Sequence, residues 1–140
     1  MRPVYESPKD RGKEFDVLIA AAAAWGSEFA GTRALSPCDY IMLKDGEVKA
    51  LVEIKCRSNK LGKYPDYMIS HEKVGKIQAA AQVMGCKPLL IVQFTDHLSW
   101  VDLSKTVGKV SFGGRKDRDD KADMEPCLFI PINQFTLIPS

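Results

Sequence analysis

Residues 37–55 read Pro-Cys-Asp-Tyr-Ile-Met-Leu-Lys-Asp-Gly-Glu-Val-Lys-Ala-Leu-Val-Glu-Ile-Lys, two apolar runs joined at Asp45-Gly46, with Asp39 opening the first and Glu53-Ile54-Lys55 closing the second. Asp-Gly between apolar runs is a strong hairpin signal, so residues 38–43 and 48–55 are expected to be neighbouring strands. Glu53 and Lys55, two positions apart on one strand, project from the same sheet face. Carboxylates of Asp39 and Glu53 on adjacent strands can hold one hard cation, and Lys55 beside them can position an attacking water as the ammonium or deprotonate it as the free amine. A cation and an ammonium together suit the negative charge that builds on phosphorus-bound oxygens during phosphodiester hydrolysis. A Glu-x-Lys tripeptide is common, so its surroundings must decide.

The hairpin imposes a condition on that site. With a two-residue turn and regular strands, Lys44 pairs with Glu47, Asp39 faces Val52, and Glu53 points to the other side of the sheet. A three-residue loop ending in a left-handed Gly46, or a bulge near Asp39, changes the parity and brings both carboxylates to one face. One of these is therefore expected.

The 140 residues suffice for one domain with a genuine core, and 45% hydrophobic with 27% charged residues is the balance of an ordinary globule. A net charge of +2 announces no polyanion partner, so any phosphate-binding surface must be a local cluster. Cys38, Cys56, Cys86 and Cys127 form no Cys-x-x-Cys pair, which argues against structural zinc and fits reduced thiols inside a cell. The first residues lack the apolar core of a signal peptide, and the longest apolar run, residues 17–25, is too short to span a membrane.

Ser7-Pro8-Lys9-Asp10 reads as a helix start, and Phe15, Leu18, Ile19, Ala22 and Trp25 form an apolar stripe, predicting a helix from residue 8 or 12 to 25. Residues 57–67 are polar, contain Gly62 and Pro65, and read as a surface loop. Ser70 caps a second predicted helix with Val74, Ile77, Ala80, Ala81 and Met84 on its apolar side, Ile69 stapled to Val74, and Gly85 at its end. Residues 89–94 are apolar without alternation, as in a parallel strand covered on both faces. Residues 98–103 follow as a strand, 104–126 as a long charged loop, and 127–132 as a last strand that Pro131 would place at an edge. The Arg115 to Asp120 run, with alternating signs, reads as a solvated loop, with a flap over DNA as the alternative. The result is an α/β fold with a central mixed β-sheet flanked by helices, in a single domain with a core at about 8–103 and an extension at 104–140.

From the first helix, Arg-Gly-Lys-Glu-Phe-Asp at 11–16, through Pro-Cys-Asp and Val-Glu-Ile-Lys-Cys-Arg, to the Ser70-led helix and the Leu-Leu-Ile-Val strand, the chain resembles the PD-(D/E)xK nuclease superfamily. It is most similar to small archaeal-type Holliday-junction resolvases. The resemblance implies a restriction-endonuclease-like core of αβββαβ type and Mg²⁺-dependent cleavage of DNA, with Mn²⁺ able to substitute. It assigns metal binding to Asp39 and Glu53, the Ile54 carbonyl as a further ligand, Lys55 as the residue assisting the nucleophile, and Glu14 as a contact to a second metal or a metal-bound water. Residues 104–140 have no counterpart in the resolvase pattern.

Arg57, Lys60 and Lys63 in the loop after Glu-x-Lys, with Lys73 and Lys76 on the second helix, are candidate contacts to the DNA backbone. Tyr64 and Tyr67 either stack on bases or pack, and Gln78 is a candidate to face the site. The expected substrate is branched, junction or duplex DNA. The alternatives are a phage or restriction-type nuclease on duplex DNA, or a catalytically inactive nuclease fold that binds nucleic acid or a protein partner. The expected setting is an intracellular, cytoplasmic protein encoded by a phage or mobile element. A homodimer would explain paired incisions.

Overall fold

The computed structural model describes residues 8–31, 38–114 and 124–139. The Ser7 cap and the Arg115 to Asp120 run lie outside the described residues. Helix α1 (Pro8–Trp25) leads into β1 (Glu28–Gly31), β2 (Tyr40–Lys44) and β3 (Glu47–Cys56). Strand β4 (Asp66–Ser70) runs directly into helix α2 (His71–Met84), followed by β5 (Lys87–Gln93) and β6 (Leu98–Asp102). The chain ends with β7 (Lys109–Gly114), β8 (Met124–Pro131), a short 3₁₀ turn (Ile132–Gln134) and β9 (Thr136–Leu137). No helix among the described residues is long and apolar enough to cross a membrane.

A six-stranded mixed sheet in the order β1-β2-β3-β5-β6-β9 forms the centre. Strand β5 lies parallel to β3, and its residues Pro88 to Val92 are all buried, as its unbroken apolar run predicts. Ala50, Val52, Ile54, Leu89 and Ile91 face α1, where Val17 and Ala21 meet them. Leu51, Leu90 and Val92 face the other way, onto Val74, Ile77 and Ala81 of α2. Glu53 and Lys55 continue the Leu51 face, so the candidate site opens on the α2 side of the sheet.

The hairpin meets its parity condition in the strand and not in the turn. Asp45 and Gly46 have φ of 54° and 77°, a tight two-residue turn in which Lys44 pairs with Glu47. Both positions tolerate the left-handed region, and that turn matches the twist of its strands, so it stays tight. The odd residue is instead a bulge on β3: Leu43 pairs with Val48 but Met42 with Ala50, leaving Lys49 over. Tyr40 thereby pairs with Val52, and position 39 falls level with Glu53. The bulge lies beside the turn, not near Asp39 as expected.

Helix α2 is built as its sequence indicates: the Ser70 hydroxyl accepts from Lys73 N–H at 3.4 Å, and Gly85 ends it with φ of 69°. Helix α1 turns a partly different side inward. Val17 and Ala21 are buried, with Leu18 and Trp25 of the expected stripe packed beside them, whereas Phe15 and Ile19 are 61% and 55% exposed.

The largest departure concerns residues 104–140. The expected long loop contains β7, the 57–67 loop closes early into β4, and the expected edge strand β8 is the middle of a three-stranded antiparallel sheet, β4-β8-β7. Strand β7 pairs with Met124 to Phe129 and β4 with Cys127 to Pro131, so Pro126 and Pro131 each occupy a position with one neighbour only. There a missing N–H removes no bond needed by a second strand. Tyr67, Ile69, Leu128 and Ile130 of this sheet join Val74 and Ile77 of α2 in one core.

Candidate active site

The site gathers at the C-terminal end of β3. Asp39 N–H donates to the Val52 carbonyl at 3.0 Å, and its Oδ2 accepts from Ile54 N–H at 3.0 Å, which fixes the carboxylate against the β3 backbone. Glu53 is only 6% exposed. Its Oε1 accepts from both Lys55 Nζ at 3.0 Å and Lys73 Nζ at 3.1 Å. A buried carboxylate needs such partners, and here two ammoniums share one oxygen.

Burial makes this end of β3 a costly place for charge, and like charge adds to the cost. Burial, then repulsion from Glu53, raises the Asp39 carboxyl to about 6, against the Ile54 hydrogen bond and the Lys55 charge that lower it; Glu14 adds a smaller push upward. Burial opposes the charge on Lys55, but attraction to Glu53, with help from Asp39, outweighs it and holds the ammonium above the ordinary lysine range. Lys73 goes the other way, lowered by burial and by Lys55 beyond what Glu53 restores.

Glu14 approaches from α1, and its Oε2 accepts from the Tyr40 hydroxyl at 3.0 Å. Tyr40 was absent from the sequence-based candidates. Its signal was position, because a residue adjacent to Asp39 on a strand faces the opposite side, where α1 lies. Lys73, expected on phosphate, is engaged with Glu53; its place in the first turn of a helix that follows Glu-x-Lys was the available clue. Lys76 pairs with Glu72 at 3.0 Å. Arg57 lies over the Tyr67 ring at 4.8 Å, and Lys63 over Tyr64 at 5.4 Å. Tyr67 is buried against Phe94 and Phe135. Gln78 does not reach the site, since its side-chain amide donates to the Leu103 carbonyl at 2.8 Å.

A cavity of about 450 Å³ opens beside Glu53, lined by Lys55, Arg57, Lys73 and Lys76, with Glu72 and Glu125 as its acids. Lys60 and Lys63 do not line it. Among the described residues no three His, Cys, Asp or Glu gather closely enough to hold a cation unaided. The donor set nevertheless fits a magnesium-like ion, which keeps several waters and takes one or two carboxylates together with substrate phosphate. The Asp39 carboxyl, raised to about 6 by burial first and by Glu53 second, is a group whose charged form a divalent cation would favour.

A family model described as "Phage putative PDDEXK endonuclease" matches residues 1–138. No curated protein matches the chain. Among solved structures, the chain is similar to Hjc from Archaeoglobus fulgidus, a Holliday junction resolvase from an archaeal hyperthermophile, with a TM-score of 0.65 at 15% identity. The match covers 93% of this chain and 92% of the other, so most of residues 104–140, expected to have no counterpart in the resolvase pattern, does have one in the fold.

Proposed function

The chain belongs to the phage PDDEXK endonuclease family, and from that premise we propose that it is a metal-dependent endonuclease hydrolysing DNA phosphodiester bonds, with branched or junction DNA as its substrate class. The observation that carries this reading is the convergence of Asp39, Glu53 and Lys55 at one end of β3, where Lys55 lines a cavity together with Arg57, Lys73 and Lys76. Asp39 and Glu53 would hold Mg²⁺, or Mn²⁺ in its place, with the Ile54 carbonyl and Glu14 as further oxygen donors. When bound, the cation supplies fixed positive charge against the scissile phosphate. The Lys55 ammonium, held in its charged form by Glu53, orients the attacking water and stabilises charge developing on the phosphate oxygens. Lys73, Lys76 and Arg57 neutralise flanking phosphates, and Lys60 and Lys63 extend the basic surface along the following loop.

The junction preference rests on the fold shared with a resolvase and is the finer part of the proposal. A homodimer would place two such sites across a two-fold axis and cut two strands of a symmetric branch. The family's phage description fits action inside a host cell.

The test is a cleavage panel over junction, flap, nicked, linear and single-stranded DNA with Mg²⁺ or Mn²⁺, and Lys55→Ala as control. Cleavage of branched DNA that vanishes in the variant is the expected result. If every substrate stays intact and the protein binds no divalent cation, the enzyme reading fails.

A further inference from the structure

A second cavity, of about 410 Å³, adjoins the catalytic one and shares Arg57 and Met68 with it. Its walls carry Tyr64, Tyr67, Phe94 and Phe129. The volume lies within the roughly 300–1,000 Å³ usual for small-molecule sites, and aromatic walls with a few polar groups, here Arg57, Asn59 and Asp66, are their common make-up. Tyr64 is 54% exposed, which leaves ring surface free, and Lys63 and Arg57 hold positive charge over the two tyrosines. Tyr67 is buried in this wall, and its hydroxyl lies close enough to the Arg57 guanidinium for that charge to act on it.

Aromatic faces flanked by cations, next to a groove that neutralises phosphates, form a platform for an unstacked base, since every base offers a π-face whatever its sequence. Continuous duplex keeps its bases paired and stacked and has none to offer. We propose that this cavity receives one unpaired nucleobase next to the cleaved bond, so that the enzyme selects DNA whose branch, flap or gap exposes such a base. The proposal rests on the endonuclease reading above and names the feature of the substrate that the site selects.

The experiment is a position scan. A fluorescent flap DNA is made with an abasic residue at each unpaired nucleotide in turn, and affinity is read by anisotropy without divalent metal. One position is expected at which loss of the base weakens binding about tenfold, the order of one base–aromatic stack. That penalty should disappear in Tyr64→Ala and persist in Tyr64→Phe, which keeps the ring face. Thermal melting establishes that both variants are folded, and Phe129→Ala substitutes for Tyr64→Ala if it is not. If no position is sensitive, or the penalty is the same in wild type and Tyr64→Ala, the proposal is overturned. Because binding is read without cleavage, its failure is separable from that of the endonuclease reading, which falls only if no DNA is cut with Mg²⁺ or Mn²⁺.

Discussion

Asp39 is held where a carboxylate is costly, and that cost is the simplest measure of what the residue is for. With its carboxyl raised from 3.8 to about 6, the folded protein binds its proton more tightly than the unfolded chain does. Between those two values the folded state carries the extra proton, so stability falls as pH rises through the window and stays reduced above it. The shift sets a ceiling of roughly 3 kcal/mol, and partial exposure brings the expected effect to about 1–2 kcal/mol. Asp39→Asn keeps an oxygen for Ile54 N–H while removing the repulsion. It should therefore raise the melting temperature of the metal-free protein at pH 8 by several degrees and abolish the decline between pH 4 and 7. The same variant should lose cleavage by more than about a hundredfold, as a stability gain at an active site commonly does. For the wild type, apparent Mg²⁺ affinity should drop about tenfold per unit below pH 6, read by calorimetric titration, because the proton competes for the carboxylate. Lys73 supplies a second contrast. Lys55→Ala leaves Glu53 its partner Lys73 and should fold but not cut, whereas Lys73→Ala should reduce cleavage by about tenfold, measured under single-turnover conditions.

At the level of elements, parity decides whether the site exists, and parity is a matter of counting. Five residues of β2, Tyr40–Lys44, run beside six of β3 between the turn and Glu53, and the surplus is Lys49. Its side chain does no more than pair with Glu47 at the surface, at 2.8 Å. Deleting Lys49 would leave equal strands with Tyr40 still opposite Val52 and Asp39 still level with Glu53. Cleavage within about threefold of wild type is the expected result, and circular dichroism should show a folded protein. A hundredfold loss would mean that the bulge aims Asp39 in a way that pairing alone does not. The need for an irregularity was legible in the sequence because Asp39, Glu53 and the Asp-Gly turn fix three points of one ladder. Its location was not, because nothing in Val48-Lys49-Ala50 distinguishes the residue that drops out. The ends of α2 were legible for a local reason, a hydroxyl cap and a left-handed glycine. The inward side of α1 was legible only in part, Leu18 and Trp25 but not Phe15 or Ile19, because the alanines at 20–24 blur the apolar period. Strand β7 was hidden by its own glycines. A Cβ at Gly113 would stand 2.5 Å from Met68 Sδ and 3.2 Å from Cys127 Sγ, so a residue that reads as a turn signal instead lets strands approach closely.

The whole molecule depends on the strands after residue 104, which the sequence alone sets apart as an extension and which the likeness to the resolvase fold, over 93% of the chain, largely takes in. Leu128 and Ile130 of β8 lie in the same core as Val74, Ile77 and Leu90, while Ile138 closes the opposite core against Leu98 and Val52. Strand β8 also bridges β4 and β7, and β9 completes the pairing of β6. Each such aliphatic side chain contributes about 1.5–3 kcal/mol when fully buried. Three of them together rival the roughly 5–15 kcal/mol by which a domain is stable at all. Removing residues 104–140 would therefore leave the Asp39, Glu53 and Lys55 positions intact in sequence but strip one wall from the core that holds α2, and with it Lys73. We expect residues 1–103 alone to show no cooperative thermal transition and the full chain to show one, with coincident loss of near- and far-ultraviolet dichroism. A truncated chain that melts cooperatively would make the C-terminal strands an appendage. Loss of both signals together would make them part of the scaffold that keeps two carboxylates and two lysines within reach of one another.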